Sequence, residues 1–346
     1  MKKVSPWFCL LFLICSWLFL GLYALNLEFY AKYHVPFGMS DIDRYVSWQG
    51  YDISYRTEYS RLDRQAYLIH GFFLETVKLL GGVYALNWFI PLLIVSCILA
   101  VYWLYSKWGF SDFISFFGSI LFAFGSFFMI SFYVVAFYAQ LYGSFLILLA
   151  LIFYAKKQKT IFVLCLFFSV LAHLILIYFW IMFCLSELAY HKRYLTGIIV
   201  TMIFFILSIF YGVQRYSSFY PHPVPEPNMY VKLAIFTFPL VFVFLFNSPI
   251  KTFRYKYMIA FLFLITPLIH LGRGLVYLSL FITPLAVIGF FEFRKQVKYW
   301  YWFMFFIIVF FLFWLDYTWS FQMKNMLEQM SLRGMGENMT FNNLFI

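Results

Sequence analysis

The sequence predicts an all-α polytopic membrane protein with about 11 transmembrane helices and an interfacial amphipathic helix in the first external loop. Of its 346 residues, 64% are hydrophobic and only 11% are charged, and the mean hydropathy is +0.85. A soluble domain carries about 25% charged residues, and a membrane-spanning helix needs about 20 consecutive apolar residues, a pattern that recurs along this chain. The whole chain, 1–346, is therefore predicted to form a single transmembrane bundle.

The distribution of charge predicts which helix ends face the cytoplasm. The chain has 25 Lys and Arg residues, 14 Asp and Glu residues and a formal net charge of +11. When the apolar runs are threaded as alternating spans, the whole positive surplus falls on one side, as the positive-inside rule requires of the cytoplasmic side. We therefore expect an integral protein of a plasma, inner or ER-type membrane, with its N-terminus in the cytoplasm and its C-terminus outside. The basic composition is a signal of topology and does not indicate a nucleic-acid partner.

The first span, about 6–26, leads into a first external loop, 27–82, that is expected to contain an interfacial helix. The apolar run Pro6–Leu25 is long for a signal peptide, so we expect it to remain as a span. Within Arg61–Leu80, apolar residues recur every three or four positions, as on one face of a helix: Leu62, Ala66, Ile69, Phe73, Val77 and Leu80. The charged residues between them prevent this helix from spanning the membrane, and Gly81-Gly82 is expected to end it.

The remaining apolar runs predict the other spans and the loops between them. Their order along the chain is a span at about 83–105, a tight hairpin of two spans at 113–154 that turns near 131–140, two short helices within 161–190 broken near His173, a span at 195–213, a Pro-rich external loop at 214–230, a span at 231–249, a hairpin at 258–292 that turns at His270–Gly274, a last span at 299–319 and an external tail at 320–346.

Polar chemistry is concentrated in the first external loop. Residues 36–64 hold five acids and four arginines: Asp41, Asp43, Asp52, Glu58, Asp63, Arg44, Arg56, Arg61 and Arg64. In Asp41-Ile42-Asp43, two carboxylates lie one residue apart. A carboxylate in such a loop can act as a general base or bind a divalent cation. The alternative is a solvated loop in which the aspartates cap turns.

The chain resembles the GT-C class of glycosyltransferases, which are polytopic enzymes with a catalytic aspartate in the first external loop. The resemblance lies in the acidic stretch Asp41–Tyr45, the segment Arg64–Tyr67 that leads into the amphipathic helix, and the hairpin with Tyr138, Gln140 and Tyr142. It also includes Arg273, Tyr277 and Pro284 at a later span. Oligosaccharyltransferases of this class carry a large soluble C-terminal domain. The short tail of this chain favours a smaller glycosyltransferase or a polysaccharide polymerase of similar build.

The resemblance implies a polyprenyl-phosphate-linked sugar as donor and a glycan, lipid or protein as acceptor. It implies Asp41 or Asp43 as the general base, and Arg273, with His270, Arg64 and Arg61 as further candidates, as the cation that faces the donor phosphate. Arg44, Tyr45 and Tyr277 are then candidates for substrate contact, and Asp43 for a Mg²⁺ or Mn²⁺ ion. For Arg273, snorkelling to the interface is the alternative, and for His270 it is packing in a hydrogen-bonded site.

A transporter or flippase of lipid-linked saccharide is the alternative function class. Transporters commonly place charges, Gly or Pro near the middle of their spans and contain internal repeats. Here the middle of each span is nearly free of charge, and no repeat is evident in the sequence. Both observations favour chemistry at the outer surface. A non-catalytic subunit of an envelope-biosynthesis complex is a third reading.

Overall fold

The computed structural model describes residues 4–33, 72–125, 128–129, 132–133, 137–173, 176–192, 248–269, 271–296 and 298–299. Every regular element in these ranges is helical. Four of the described helices are long and apolar enough to cross a membrane: Pro6–Ala31, Gly82–Lys107, Tyr138–Ala155 and Val276–Lys295. The chain is therefore a helical, membrane-embedded protein. The span predicted at 195–213, all but the last residues of the span at 231–249, all but the first residue of the span at 299–319, the Pro-rich loop and the C-terminal tail lie outside these ranges.

Ten helices are labelled in chain order. They are α1 (Pro6–Tyr33), α2 (residues 72–79), α3 (Leu86–Lys107), α4 (Asp112–Gly125), α5 (Tyr138–Ala155), α6 (Lys159–Ala172), α7 (Leu176–Tyr190), α8 (Ser248–Thr252), α9 (Lys256–Ile269) and α10 (Leu271–Gln296). A short 3₁₀ helix, Gly82–Ala85, precedes α3. The helices fall into two compact units, of which unit 1 contains α1–α6 and unit 2 contains α7–α10.

Unit 1 is built around α3, which packs against α1, α4 and α5, while α6 packs against α5. The helix α3 matches the predicted span at 83–105 closely. The helix α1 is longer than predicted, because it continues to Tyr33 and does not end near residue 26. Residues 27–33 contain neither Gly nor Pro, so no local signal stops the helix before the next Pro in the sequence, Pro36.

Two glycines end α2, as the sequence predicts. Gly81 has φ 118° and Gly82 has φ 71°, a backbone region that favours glycine. Of the predicted apolar face, Phe73 and Val77 are buried, whereas Leu80 is exposed. The part of this predicted helix from Arg61 to residue 71 lies outside the described ranges.

The predicted pair of spans at 113–154 forms two helices, but their main packing differs from that of a tight hairpin. The helix α4 packs mainly on α3 and α1, and α5 packs mainly on α3 and α6. Residues between α4 and α5 belong to the core, since Phe128, Met129 and Phe132 are buried. With these residues buried between α4 and α5, the helix α3 contacts both α4 and α5.

Two later breaks fall close to their predicted positions. His173 is buried and in an extended conformation with φ −161° between the end of α6 and the start of α7, as predicted. The second break was predicted as a turn at His270–Gly274. The helix α9 ends at Ile269 and α10 begins at Leu271, so Leu271–Gly274 belong to α10, and His270 lies outside the described residues.

Unit 2 is held together by aromatic side chains. In its interior, Phe179 of α7 lies 5.2 Å from Tyr277 of α10 between ring centroids, and Tyr255 lies 5.7 Å from Phe281. At one end of the unit, Arg254 Nη2 lies 2.9 Å from Glu187 Oε2.

Candidate functional site

Most of the predicted site residues lie outside the ranges that the structure describes. These are Asp41, Asp43, Arg44, Tyr45, Arg61, Arg64 and His270. Their proposed roles remain predictions. Arg273 lies in the first turn of α10, close to the N-terminal end of that helix. Tyr277 follows one turn later and is buried in unit 2 against Phe179.

The two flanks of the acidic first loop meet in unit 1. On the N-terminal flank, Tyr30 belongs to the last turn of α1, and on the C-terminal flank, Tyr84 follows the turn at Gly81 and Gly82. The rings of Tyr30 and Tyr84 make an edge-to-face contact with centroids 5.7 Å apart. The described residues that flank 34–71 in the sequence, Tyr33 and Phe72, thus both belong to helices of unit 1.

The helix α2 is fixed to the bundle by stacked aromatic rings. Phe72 lies 5.7 Å from Tyr142 of α5 and 5.1 Å from Phe168 of α6, with nearly parallel rings in both contacts. Phe73, at 0% exposure, also contacts Tyr142. Such ring pairs contribute about 0.5–1.5 kcal/mol each beyond the area that they bury. Leu79, in the last turn of α2, is 87% exposed.

A buried polar cluster lies at this same end of unit 1. The side chain of Asn26 in α1 donates a hydrogen bond of 2.9 Å from Nδ2 to the backbone oxygen of Asn87 in α3. Tyr133 donates a hydrogen bond of 2.7 Å to Asn26 Oδ1, and the carbonyl oxygen of Leu22 lies 3.3 Å from the same hydroxyl. We call Asn26, Asn87 and Tyr133 the amide cluster. All three residues are at most 1% exposed.

The amide cluster is uncharged and only partly satisfied. Both side-chain atoms of Asn87, Nδ2 and Oδ1, are buried and have no hydrogen-bond partner among the residues that the structure describes. Transfer of an amide from water to apolar surroundings without a partner costs about 2–7 kcal/mol.

The amide cluster was not predicted from the sequence. A signal was available, because Asn26 and Asn87 are carboxamides at the ends of otherwise apolar runs, and polar side chains within membrane segments are commonly functional. The hairpin residue Gln140, which the resemblance does include, is buried at the start of α5, and its backbone oxygen accepts a hydrogen bond from the Ser144 hydroxyl. What the sequence could not provide was the pairing of positions 26, 87 and 133.

Metal binding was predicted only at Asp43, which lies outside the described residues. Among the residues that are described, no group of three His, Cys, Asp or Glu side chains is arranged to hold a metal ion. Comparisons of the chain with protein-family models, with curated proteins and with solved structures find no match.

Proposed function

We propose that the chain is a membrane glycosyltransferase that moves a sugar from a polyprenyl-phosphate-linked donor to a glycan, lipid or protein acceptor on the extracytoplasmic face. The observation that carries the proposal is the contact between Tyr30 and Tyr84. It joins the described segments on either side of the most acidic part of the sequence, 36–64, at the end of unit 1 that also holds the amide cluster. An acidic segment between two such flanks of an apolar bundle suits chemistry on a substrate anchored in the bilayer.

In the proposed reaction, Asp41 or Asp43 accepts the proton of an acceptor hydroxyl. The acceptor oxygen then attacks the anomeric carbon of the donor sugar, and the bond from that carbon to the lipid phosphate oxygen breaks. The phosphate leaves with additional negative charge, so a fixed cation that faces it lowers the barrier. Arg273 is the first candidate for this cation, with Arg61, Arg64 and His270 as others. A Mg²⁺ or Mn²⁺ ion at Asp43 would supply the same stabilisation.

The proposed orientation places the acidic loop outside the cell or in the lumen. Support comes from the basic residues at the opposite helix ends, such as Lys107 at the end of α3 and Lys156 and Lys157 after α5. In a cysteine-free background, Ser60→Cys should react with a membrane-impermeant thiol reagent from outside only. Lys157→Cys should react only after the membrane is opened. The reverse pattern would overturn the orientation.

A polysaccharide polymerase of similar build and a flippase of lipid-linked saccharide are the alternative functions. Purified protein in liposomes distinguishes these activities, with a radiolabelled polyprenyl-phosphate sugar as probe. Transfer of the label to an added acceptor supports the transferase, and repeated addition to one growing chain indicates the polymerase. Movement of the labelled lipid between leaflets without transfer indicates the flippase and contradicts the proposal.

A further inference from the structure

One face of α3 is only partly covered by the rest of the chain. Apart from Ser106, the positions of this helix that are not buried are spaced by three or four residues, so they form a single stripe along it: Trp88, Leu92, Ser96, Leu99, Trp103 and Lys107. The stripe is apolar over most of its length and ends in a lysine. Between Leu92 and Lys107 it extends about 22 Å, which exceeds the apolar depth of one leaflet of a bilayer, about 15 Å.

The helices α3 and α5 run in the same direction and end together. Near their starts, the ring of Phe89 lies 6.0 Å from the ring of Tyr142 between centroids. Near their ends, the Nζ atom of Lys156, the residue that follows α5, lies 4.2 Å from the centroid of the Trp103 ring. Because Lys107 is the last residue of α3, Lys107 and Lys156 lie at the same end of unit 1.

The ring of Trp103 holds the ammonium group of Lys156. A cation over an indole face is attracted by the ring electrons and keeps its full charge. Phe153 contributes a second ring, whose centroid lies 5.7 Å from the same Nζ atom. Trp103 is nevertheless 45% exposed, so part of the indole stays available to the surroundings of the bundle. Tryptophan at the end of a spanning helix is typical of the membrane interface.

Lys107 brings a second ammonium group to the same side of α3. It follows Trp103 by four residues, a spacing that puts the two Cβ atoms about 5–6 Å apart on one face of a helix, and its side chain is exposed. Neither Lys107 nor Lys156 forms an ion pair with any residue that the structure describes. Asp112, the next acid in the sequence, lies beside Tyr102. The two positive charges are therefore available to an anion.

We propose that the exposed stripe of α3 binds one anionic phospholipid, with its phosphate between Lys107 and Lys156 beside Trp103 and an acyl chain along Leu99. Charge complementarity supports this occupant, because lysine ammonium groups bind phosphate and anionic headgroups attract basic residues at helix ends. The stripe also continues into the bilayer for longer than a single leaflet needs. The inference involves neither the first loop nor a sugar donor, so a failed transfer assay leaves it unaffected.

The first test measures by native mass spectrometry how many phospholipids bind to the purified full chain in detergent. Dioleoyl phosphatidylglycerol, which is anionic, is compared with dioleoyl phosphatidylcholine, which is zwitterionic and has the same acyl chains. We expect the first phosphatidylglycerol to bind at least about tenfold more tightly, since each lysine near an anionic headgroup contributes about fivefold. Equal affinity for the two lipids would overturn the inference.

Variants separate a defined site from a general attraction between basic residues and anionic lipids. Lys107→Gln and Lys156→Gln should each weaken phosphatidylglycerol binding about fivefold and leave phosphatidylcholine binding unchanged. The matched control is Lys159→Gln, which removes the same charge from an exposed residue at the start of α6. It should raise Kd less than about twofold, because solvent screens an exposed charge outside the site. Equal losses in Lys156→Gln and Lys159→Gln would contradict a defined site.

Further probes test the ring and the acyl chain. Trp103→Leu keeps both lysines but removes the ring that holds Lys156, so phosphatidylglycerol affinity should fall, and Trp103→Phe should retain more of it. Unchanged affinity in Trp103→Leu would overturn the role of the ring. Dihexanoyl phosphatidylglycerol, whose short chains cover less of the stripe, should bind more weakly than the dioleoyl lipid, and excess inorganic phosphate should not displace the dioleoyl lipid. Equal affinity for the two chain lengths, or displacement by inorganic phosphate, would contradict a phospholipid as the occupant.

Discussion

The phenol of Tyr133 donates a hydrogen bond of 2.7 Å to the side-chain oxygen of Asn26, a residue 107 positions earlier in the chain. This bond joins the connection before α5 to α1, whose surface is otherwise mostly exposed, with 17% of its most apolar window buried. Apolar contacts with lipid and with protein are similar in strength inside a bilayer, so a polar bond of this kind helps to define where a helix sits. The Tyr133–Asn26 bond thus fixes α1 at the end of unit 1 that carries the first loop.

Removing the Tyr133 hydroxyl should weaken unit 1 modestly. Tyr133→Phe keeps the buried ring and deletes the bond to Asn26, which should lower the free energy of unfolding by about 0.5–1.5 kcal/mol. Equilibrium unfolding in nanodiscs measures the change. Tyr142→Phe is the control, because the described contacts of Tyr142 are made by its ring. Equal stability of both variants and the wild type would show that the Tyr133 bond contributes nothing.

Shortening Phe72 should loosen α2 without unfolding the bundle. Phe72→Ala removes the stacking on Tyr142 and Phe168, at a cost of about 1–3 kcal/mol for a half-buried ring. Amide hydrogens of residues 72–79 should then exchange at least about tenfold faster, because α2 opens locally more often. Leu79→Ala on the exposed face should leave exchange unchanged. Unchanged exchange in the Phe72 variant would mean that the aromatic stack does not hold α2.

The ion pair between Glu187 and Arg254 should couple α7 to the segment before α9. The Glu187 side chain is 14% exposed and that of Arg254 is 45% exposed, so solvent screens part of the attraction, and we expect a coupling energy of about 0.5–1 kcal/mol. A double-mutant cycle with Glu187→Gln and Arg254→Ala measures it. The same cycle at Glu292 and Lys295, which are more exposed, should give a smaller value. Coupling that is larger at the exposed pair would contradict the assignment of Glu187 and Arg254 as a structural link.

Arg273 should affect the lipid donor specifically. Arg273→Ala removes the proposed partner of the donor phosphate and should raise KM for the polyprenyl-phosphate sugar by about 10–100-fold, the range expected for a charged hydrogen bond. Arg294→Ala removes an exposed cation at the opposite end of the same helix and should leave KM unchanged. Steady-state kinetics in liposomes measure both variants. Unchanged kinetics in Arg273→Ala would assign this residue to snorkelling.

Local signals in the sequence predicted those features that depend on neighbouring residues. The end of α2 at Gly81, the extent of α3 before Lys107 and the break at His173 all follow from composition within a few positions. Long-range packing was not predictable in the same way. The position of α3 between α4 and α5 depends on side-chain fit along whole helices, because in apolar sequences of this kind every face resembles every other.

The candidate site shows the same difference between local features, which the sequence predicts, and long-range contacts, which it does not. Its acidic segment was recognisable because Asp41 and Asp43 stand out in an apolar chain. The amide cluster was not recognisable as a unit, since Asn26, Asn87 and Tyr133 come from three separate segments. Only the folded arrangement shows that hydrogen bonds join the Tyr133 phenol, the Asn26 carboxamide and the backbone oxygen of Asn87.

The rate of sugar transfer in variants of the first loop tests the account most directly. In liposomes that contain the full chain, a radiolabelled polyprenyl-phosphate sugar and an acceptor, Asp41→Asn or Asp43→Asn should lower the single-turnover rate by about 10²–10⁴-fold, the usual contribution of a general base. Asp63→Asn, in the same loop, should transfer at nearly the wild-type rate, and all three variants should unfold at the wild-type temperature. Wild-type transfer rates in both the Asp41 and the Asp43 variants would contradict the proposal that a first-loop aspartate is the catalytic base.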